Sequence, residues 1–169
     1  MGQQQLLLLV LSAVIVGLAV LAGIEAFDQG ERQATRDALV QRAISVGTDI
    51  LAAHRKPPRL GGIDLEEEPD DEVMAAAAGF DSNGFGADIP AGGAAGPAVC
   101  DIDGDSGVVE DDYENAYVHC GSGGSGSGSP RGLVVTVRVN PHPEDEPFEE
   151  KVGVVAIQEG CEDKDDCDL

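Results

Sequence analysis

"GQQQLLLLVLSAVIVGLAVLAGIEAFDQGERQATRDALVQRAISVGTDILAAHRKPP", residues 2–58, decides the fold of this chain, because it reads as one helix with two characters. Leu6 through Ile24 is apolar apart from Ser12, Gly17 and Gly23, and no charge occurs before Glu25. As a helix this run is about 28 Å long, close to the hydrocarbon thickness of a bilayer. A cleaved secretory signal would carry a basic start and a shorter apolar core. The first basic residue here is Arg32, so the run is expected to be kept. An N-myristoylation signal needs Ser or Thr where Leu6 stands, which excludes that anchor.

Past Phe27 the apolar positions become periodic. Leu39, Ala43, Val46 and Ile50 follow one another at steps of four, three and four, flanked by Val40, Ile44 and Leu51. That is a single stripe on a 3.6-residue repeat. Asp28 and Arg32 stand four apart in the favourable order. Pro57 and Pro58 end the pattern, and His54, Arg55 and Lys56 put positive charge in the last turn, where the helix dipole favours it. Gly30 and Gly47 interrupt it, each at a cost of about 1 kcal/mol relative to Ala. The expected organisation is therefore a membrane or filament-core segment at 1–27, an amphipathic continuation at 28–56, and a head at 57–169.

Charge separates these parts. Residues 1–60 hold six basic and five acidic side chains, a net of +1, whereas residues 61–169 hold four basic and 27 acidic, a net of −23. Such a head is repelled by nucleic acid and by anionic lipid, which excludes both as partners through bulk electrostatics. An acidic surface with few lysines reads as a halophilic adaptation that holds water in concentrated salt; cation binding is the sharper alternative. Aromatic residues are few (Phe27, Phe80, Phe85, Phe148, Tyr113 and Tyr117, with no Trp), so the head has little large apolar surface to bury. Small heads of this kind rely on covalent staples. The four cysteines, Cys100, Cys120, Cys161 and Cys167, allow three connectivities. Nearest-neighbour pairing gives Cys100–Cys120 and Cys161–Cys167.

Residues 59–112 are rich in Gly, Ala, Pro and Asp and read mostly as loop. Within them "EEEPDDEVMAAAAG" predicts one short helix, with acids in its first turn and Gly79 at its end. Three strand patterns follow: "YENAYVHC", "GLVVTVRVN" and "KVGVVAIQ". In the second, Leu133, Val135, Val137 and Val139 share one face, with Thr136 and Arg138 on the other. "GSGGSGSGSP" reads as a flexible linker and "NPHPEDEPFEE" as an acidic connector. Short connections favour an antiparallel meander. The expected fold is α+β: a long N-terminal helix packed on a small antiparallel sheet of three to four strands.

Catalytic chemistry has no constellation to carry it, and no enzymatic activity is expected. Gly121, Gly123 and Gly126 match G-x-G-x-x-G, but a strand rather than a helix follows, so no phosphate site results. His54, His119 and His142 are scattered, and no C-x-x-C pair accompanies them for zinc. One pattern has metal spacing: in "DIDGDSGVVEDD", Asp101, Asp103 and Asp105 occupy positions one, three and five of a calcium loop. Ser106 stands where the turn glycine belongs and Asp112 where the closing glutamate belongs, so an acidic turn is the simpler reading and calcium the alternative.

The organisation of residues 2–62 resembles the type IV pilin-like superfamily: pilins, pseudopilins of secretion systems and archaeal filament subunits. Gly2 before "QQQLLLLVLSAVIVGLAVLAGIEAF", the unbroken passage into an amphipathic helix, and the junction "ILAAHRKPPRLGG" carry the likeness. The resemblance implies processing between Gly2 and Gln3, and residence in the cytoplasmic membrane with assembly machinery as partner. It further implies polymerisation with other copies into an extracellular filament. The glutamate usual at the family's fifth mature position is Leu7 here, and Gln3, Gln4 and Gln5 offer hydrogen bonds without charge. Leu6, Leu7, Val10, Leu11, Val14, Leu18 and Leu21 would form the filament core, because an apolar helix taken out of a bilayer must be buried by other copies. The expected function is a structural filament subunit. A minor pseudopilin of a secretion machine and a single-pass anchored surface protein that binds calcium are the alternatives.

Overall fold

A computed structural model of the chain describes residues 2–65, 70–80, 89–90, 99–103, 116–123, 130–141 and 152–161, the side chains of 4–6, 89–90, 103 and 161 excepted. It contains helix α1 (Gly2–His54), a single 3₁₀ turn at Pro58–Leu60 and helix α2 (Asp71–Ala78). Strands β1 (Ile89–Pro90), β2 (Val99–Asp103), β3 (Ala116–Gly123), β4 (Arg131–Val139) and β5 (Val152–Cys161) follow. The chain divides into two units, Met1–Ala34 and Thr35–Leu169. The first is α-helical throughout its described residues, and the second is the α+β head.

Within the head the five strands form one antiparallel sheet in the order β1-β2-β3-β4-β5, a meander with every strand beside its sequence neighbour. β1 contributes only two residues, so four full strands carry the sheet. Residues paired across the strands lie in rows: Cys100, Cys120, Val135 and Ile157 in one, Ile102, Val118 and Val137 in the next, Ala116, Val139 and Val152 in a third. These side chains form the apolar face of the sheet, and Leu39, Ala43, Val46 and Ile50 of α1 join them in one core. The stripe expected at those four helical positions is thus the buried one, each fully shielded from solvent. Leu51 is buried beside them, Val40 is half-buried and Ile44 stays exposed.

Gly47 explains how closely helix and sheet approach. A Cβ at this position would stand 3.0 Å from Val139 Cγ2 and 3.1 Å from Val152 Cγ1. Its helix-propensity cost is therefore offset by packing that a larger residue would disturb. Gly47→Ala is expected to be nearly neutral, since about 1 kcal/mol of propensity is gained while the two valines must give slightly. Gly47→Leu is expected to lose about 1–3 kcal/mol from overpacking. Urea midpoints of the two variants in neutral detergent check the contrast.

Helix ends follow the residues that break them. α1 stops at His54, before Pro57, and the chain turns back through Gly61 (φ 77°) and Gly62. Gly62 lies against the end of α1, where a Cβ would strike the carbonyl of Lys56 and stand 3.1 Å from that of Ala53. α2 begins with Asp71 and Glu72 and ends at Gly79 (φ 89°), a left-handed cap of the kind glycine adopts without strain.

Two sequence expectations are corrected here. Residues 99–103, read as loop, form β2, and Gly121, Ser122 and Gly123, read as the start of a linker, are the end of β3. The reason for the second is steric and polar. A Cβ at Gly121 would be 2.6 Å from Arg131 N, and Ser122 Oγ accepts a hydrogen bond from the Leu133 N–H at 3.0 Å, so this Gly-Ser stretch fits a close, bulged pairing with β4.

Candidate functional site

The largest unburied apolar surface among the described residues belongs to the first unit. Leu7, Leu8, Leu9, Val10, Leu11, Val14, Ile15, Val16, Leu18, Val20, Leu21 and Ile24 are all more than half exposed. A helix apolar on every side has no preferred face to turn inward, so it needs a bilayer or other protein around its whole circumference. By length and composition α1 is able to cross a membrane. Gln3, Leu7, Val10, Leu11 and Val14 line one shallow face of it. Ser12 adds no exposed demand for a partner, because its Oγ donates to the Leu9 carbonyl at 2.8 Å. Gly17 and Gly23 leave open flats, where a Cβ would meet no atom within 4 Å.

The positions expected to form a filament core thus share one helix. Leu7, Val10, Leu11, Val14, Leu18 and Leu21 are exposed along it; Leu6 lies in the helix, with its side chain outside the described residues. Gly2 and Gln3, the expected processing pair, open α1 and are exposed.

In the head, Cys100 and Cys120 are disulfide-bonded, as nearest-neighbour pairing predicts; they face one another across β2 and β3 with Cα atoms 4.0 Å apart. Both are fully buried in the core. Cys161 ends β5, but its pairing with Cys167 falls outside the described residues. A bridge spanning 20 residues restricts the unfolded chain by about 3 kcal/mol. The double variant Cys100→Ala, Cys120→Ala is accordingly expected to lower head stability by about that amount. Thermal unfolding followed by circular dichroism in detergent checks it.

The opposite face of the sheet holds a polar row that sequence reasoning did not find. Asp101, His119 and Thr136 lie side by side across β2, β3 and β4, each at least nine-tenths buried. His119 Nδ1 and Thr136 Oγ1 are hydrogen-bonded at 3.0 Å, and the Tyr117 ring lies stacked at 6.4 Å from that of His119. The available signal was the alternation in "AYVHC" and "VVTVRV", which places His119 and Thr136 on the face away from Val118, Val135 and Val137. His119 and Thr136 thus satisfy one another within this row.

Of the three carboxylates with calcium-loop spacing, Asp101 is buried on β2 opposite His119, and Asp103 ends that strand opposite Tyr117. Asp105 lies outside the described residues. Among the described residues no three His, Cys, Asp or Glu side chains gather as a metal site. In comparisons with known proteins the chain matches no family model, no curated protein and no solved structure.

Proposed function

We propose that this chain is the structural subunit of an extracellular pilin-like filament, held in the cytoplasmic membrane before assembly and polymerised through the apolar half of α1. One observation carries the proposal: the exposed apolar surface from Leu7 to Ile24 continues, in the same helix, into a stripe already buried under the sheet. The helix is fixed to the head at one end and unsatisfied at the other. A bilayer satisfies it for a single molecule; outside a bilayer, copies of the same helix do so. A head-to-tail contact that does not close on itself then repeats into a fibre. The open flats at Gly17 and Gly23 admit close helix approach. The role requires no bound cofactor and no chemistry from the head, whose acidic surface would coat the fibre.

Electron microscopy of material sheared from cells, with mass spectrometry of the same sample, tests the proposal. Thin filaments composed of this chain, with a terminal peptide beginning at Gln3, are the expected result. A chain that stays wholly with the membrane fraction and forms no filaments would instead favour the second reading, a single-pass anchored surface protein. That reading draws on the same helix, whose length and composition suit a membrane span.

A further inference from the structure

One buried hydroxyl of the head has the surroundings of a nucleophile. Thr136 Oγ1 lies 3.0 Å from His119 Nδ1, with Thr136 only 4% exposed and His119 8%. The next place in that row, across β2, belongs to Asp101. A hydroxyl, an imidazole and a carboxylate in this order are the parts that activate an oxygen for attack on a carbonyl carbon. In the tautomer that carries its proton on Nε2, the His119 Nδ1 lone pair accepts from the Thr136 hydroxyl.

A carbonyl stands on the other side of β4. Ala156 of β5 lies opposite Thr136 and Gln158 opposite Val134, while Val135 and Ile157 between them belong to the core on the other face. Gln158 is therefore the diagonal neighbour of Thr136 on one face of the sheet. Diagonal Cβ atoms of an antiparallel pair lie within about 7–8 Å, a gap that a long side chain spans. Ala156, directly opposite Thr136, carries only a methyl and does not screen the hydroxyl from Gln158. Gln158 itself is partly buried.

We propose that Thr136 and Gln158 form a covalent modification site, an internal ester between Thr136 Oγ1 and the side-chain carbonyl carbon of Gln158. His119 Nδ1 takes the hydroxyl proton as Oγ1 bonds to Gln158 Cδ. The C–N bond of the carboxamide then breaks, and the proton passes from His119 to the departing nitrogen. One C–O bond replaces one C–N bond, ammonia leaves, and nothing is oxidised or reduced. Asp101 is a positioning residue that favours the productive tautomer of His119. Burial of Thr136 and His119 holds off water, the competing nucleophile. Among the described residues β5 pairs in the sheet with β4 alone. The ester ties that outer strand to β4, as the Cys100–Cys120 bridge ties β2 to β3. This inference goes beyond the filament reading and does not rest on it.

Trypsin separates the two residues, because Arg131, Arg138, Lys151 and Lys164 leave Thr136 in peptide 132–138 and Gln158 in peptide 152–164. The full chain, purified in neutral detergent, is denatured, reduced, alkylated and digested before mass spectrometry. The expected product is 132–138 joined to 152–164, at the sum of the two peptide masses less one ammonia. Alkaline hydroxylamine is expected to part them and leave a hydroxamate at residue 158. Thr136→Val is expected to lose the joined peptide, and Thr136→Ser, which restores a hydroxyl, to keep it. Joining is timed by a pulse of heavy amino acids during synthesis. His119→Gln is expected to slow it at least about a hundredfold, and Asp101→Asn to slow it as well. Separate peptides at their full masses in the parental chain would overturn the proposal, whatever the variants do. So would joining at the parental rate in His119→Gln.

Discussion

Leu11→Asp is expected to abolish filaments while leaving the head folded. Leu11 is half exposed in the middle of the apolar run, with no partner for a charge among its described neighbours. A carboxylate at the centre of a membrane-spanning helix costs about 2.5–3.5 kcal/mol before assembly. In a core made of packed copies the same charge is buried once per subunit, so the penalty recurs along the fibre. Val14→Asp is expected to behave alike. Ser12→Ala supplies the control: it lies between them and removes only a hydroxyl bonded to its own helix, so filament yield is expected to stay at the parental level. Yield is read from sheared material by quantitative mass spectrometry, and the head by its urea midpoint. Normal assembly of the Leu11→Asp chain would remove the apolar run from the assembly contact.

Ile50→Ala is expected to act in the opposite way, on the head and not on the apolar run. Ile50 is fully buried where α1 crosses the apolar face of the sheet, among Leu39, Ala43, Val46 and the valines of β4. Removing its branched end leaves a cavity that those neighbours cannot close, at a cost of about 2–5 kcal/mol. A domain of this size holds about 5–15 kcal/mol in total, so the loss is a large share of it. Ile44→Ala, six residues earlier and 38% exposed, is expected to cost less than about 1 kcal/mol. Urea unfolding in neutral detergent checks both, and equal losses would mean that the buried stripe is misplaced on the helix.

The helices were legible because their signals are local. Pro57 and Pro58 close α1, the four-three-four spacing from Leu39 to Ile50 marks its buried stripe, and Gly79 caps α2. Strand β4 was legible for a similar reason: alternate valines need no partner to declare a face. β2 was not. "VCDID" offers one apolar alternation diluted by two aspartates, and what makes it a strand is the row of partners on β3, from Gly121 to Tyr117. Strand propensity depends on such cross-strand packing, which a linear reading lacks. The same limit hid the buried Asp101–His119–Thr136 row, whose members are separated by 18 and 17 residues along the chain and become neighbours only through register. The apolar run was the reverse case. Its composition alone excludes a place in the head's small core, and it lies exposed outside that core.

Whether the apolar half of α1 is covered by copies of itself is tested most directly by a photo-crosslinking residue placed at Val14 and activated in sheared, washed material. The filament account predicts adducts that join position 14 of one copy to residues 7–24 of another. Adducts to lipid alone would contradict it, and would leave α1 as the anchor of a single molecule in its membrane.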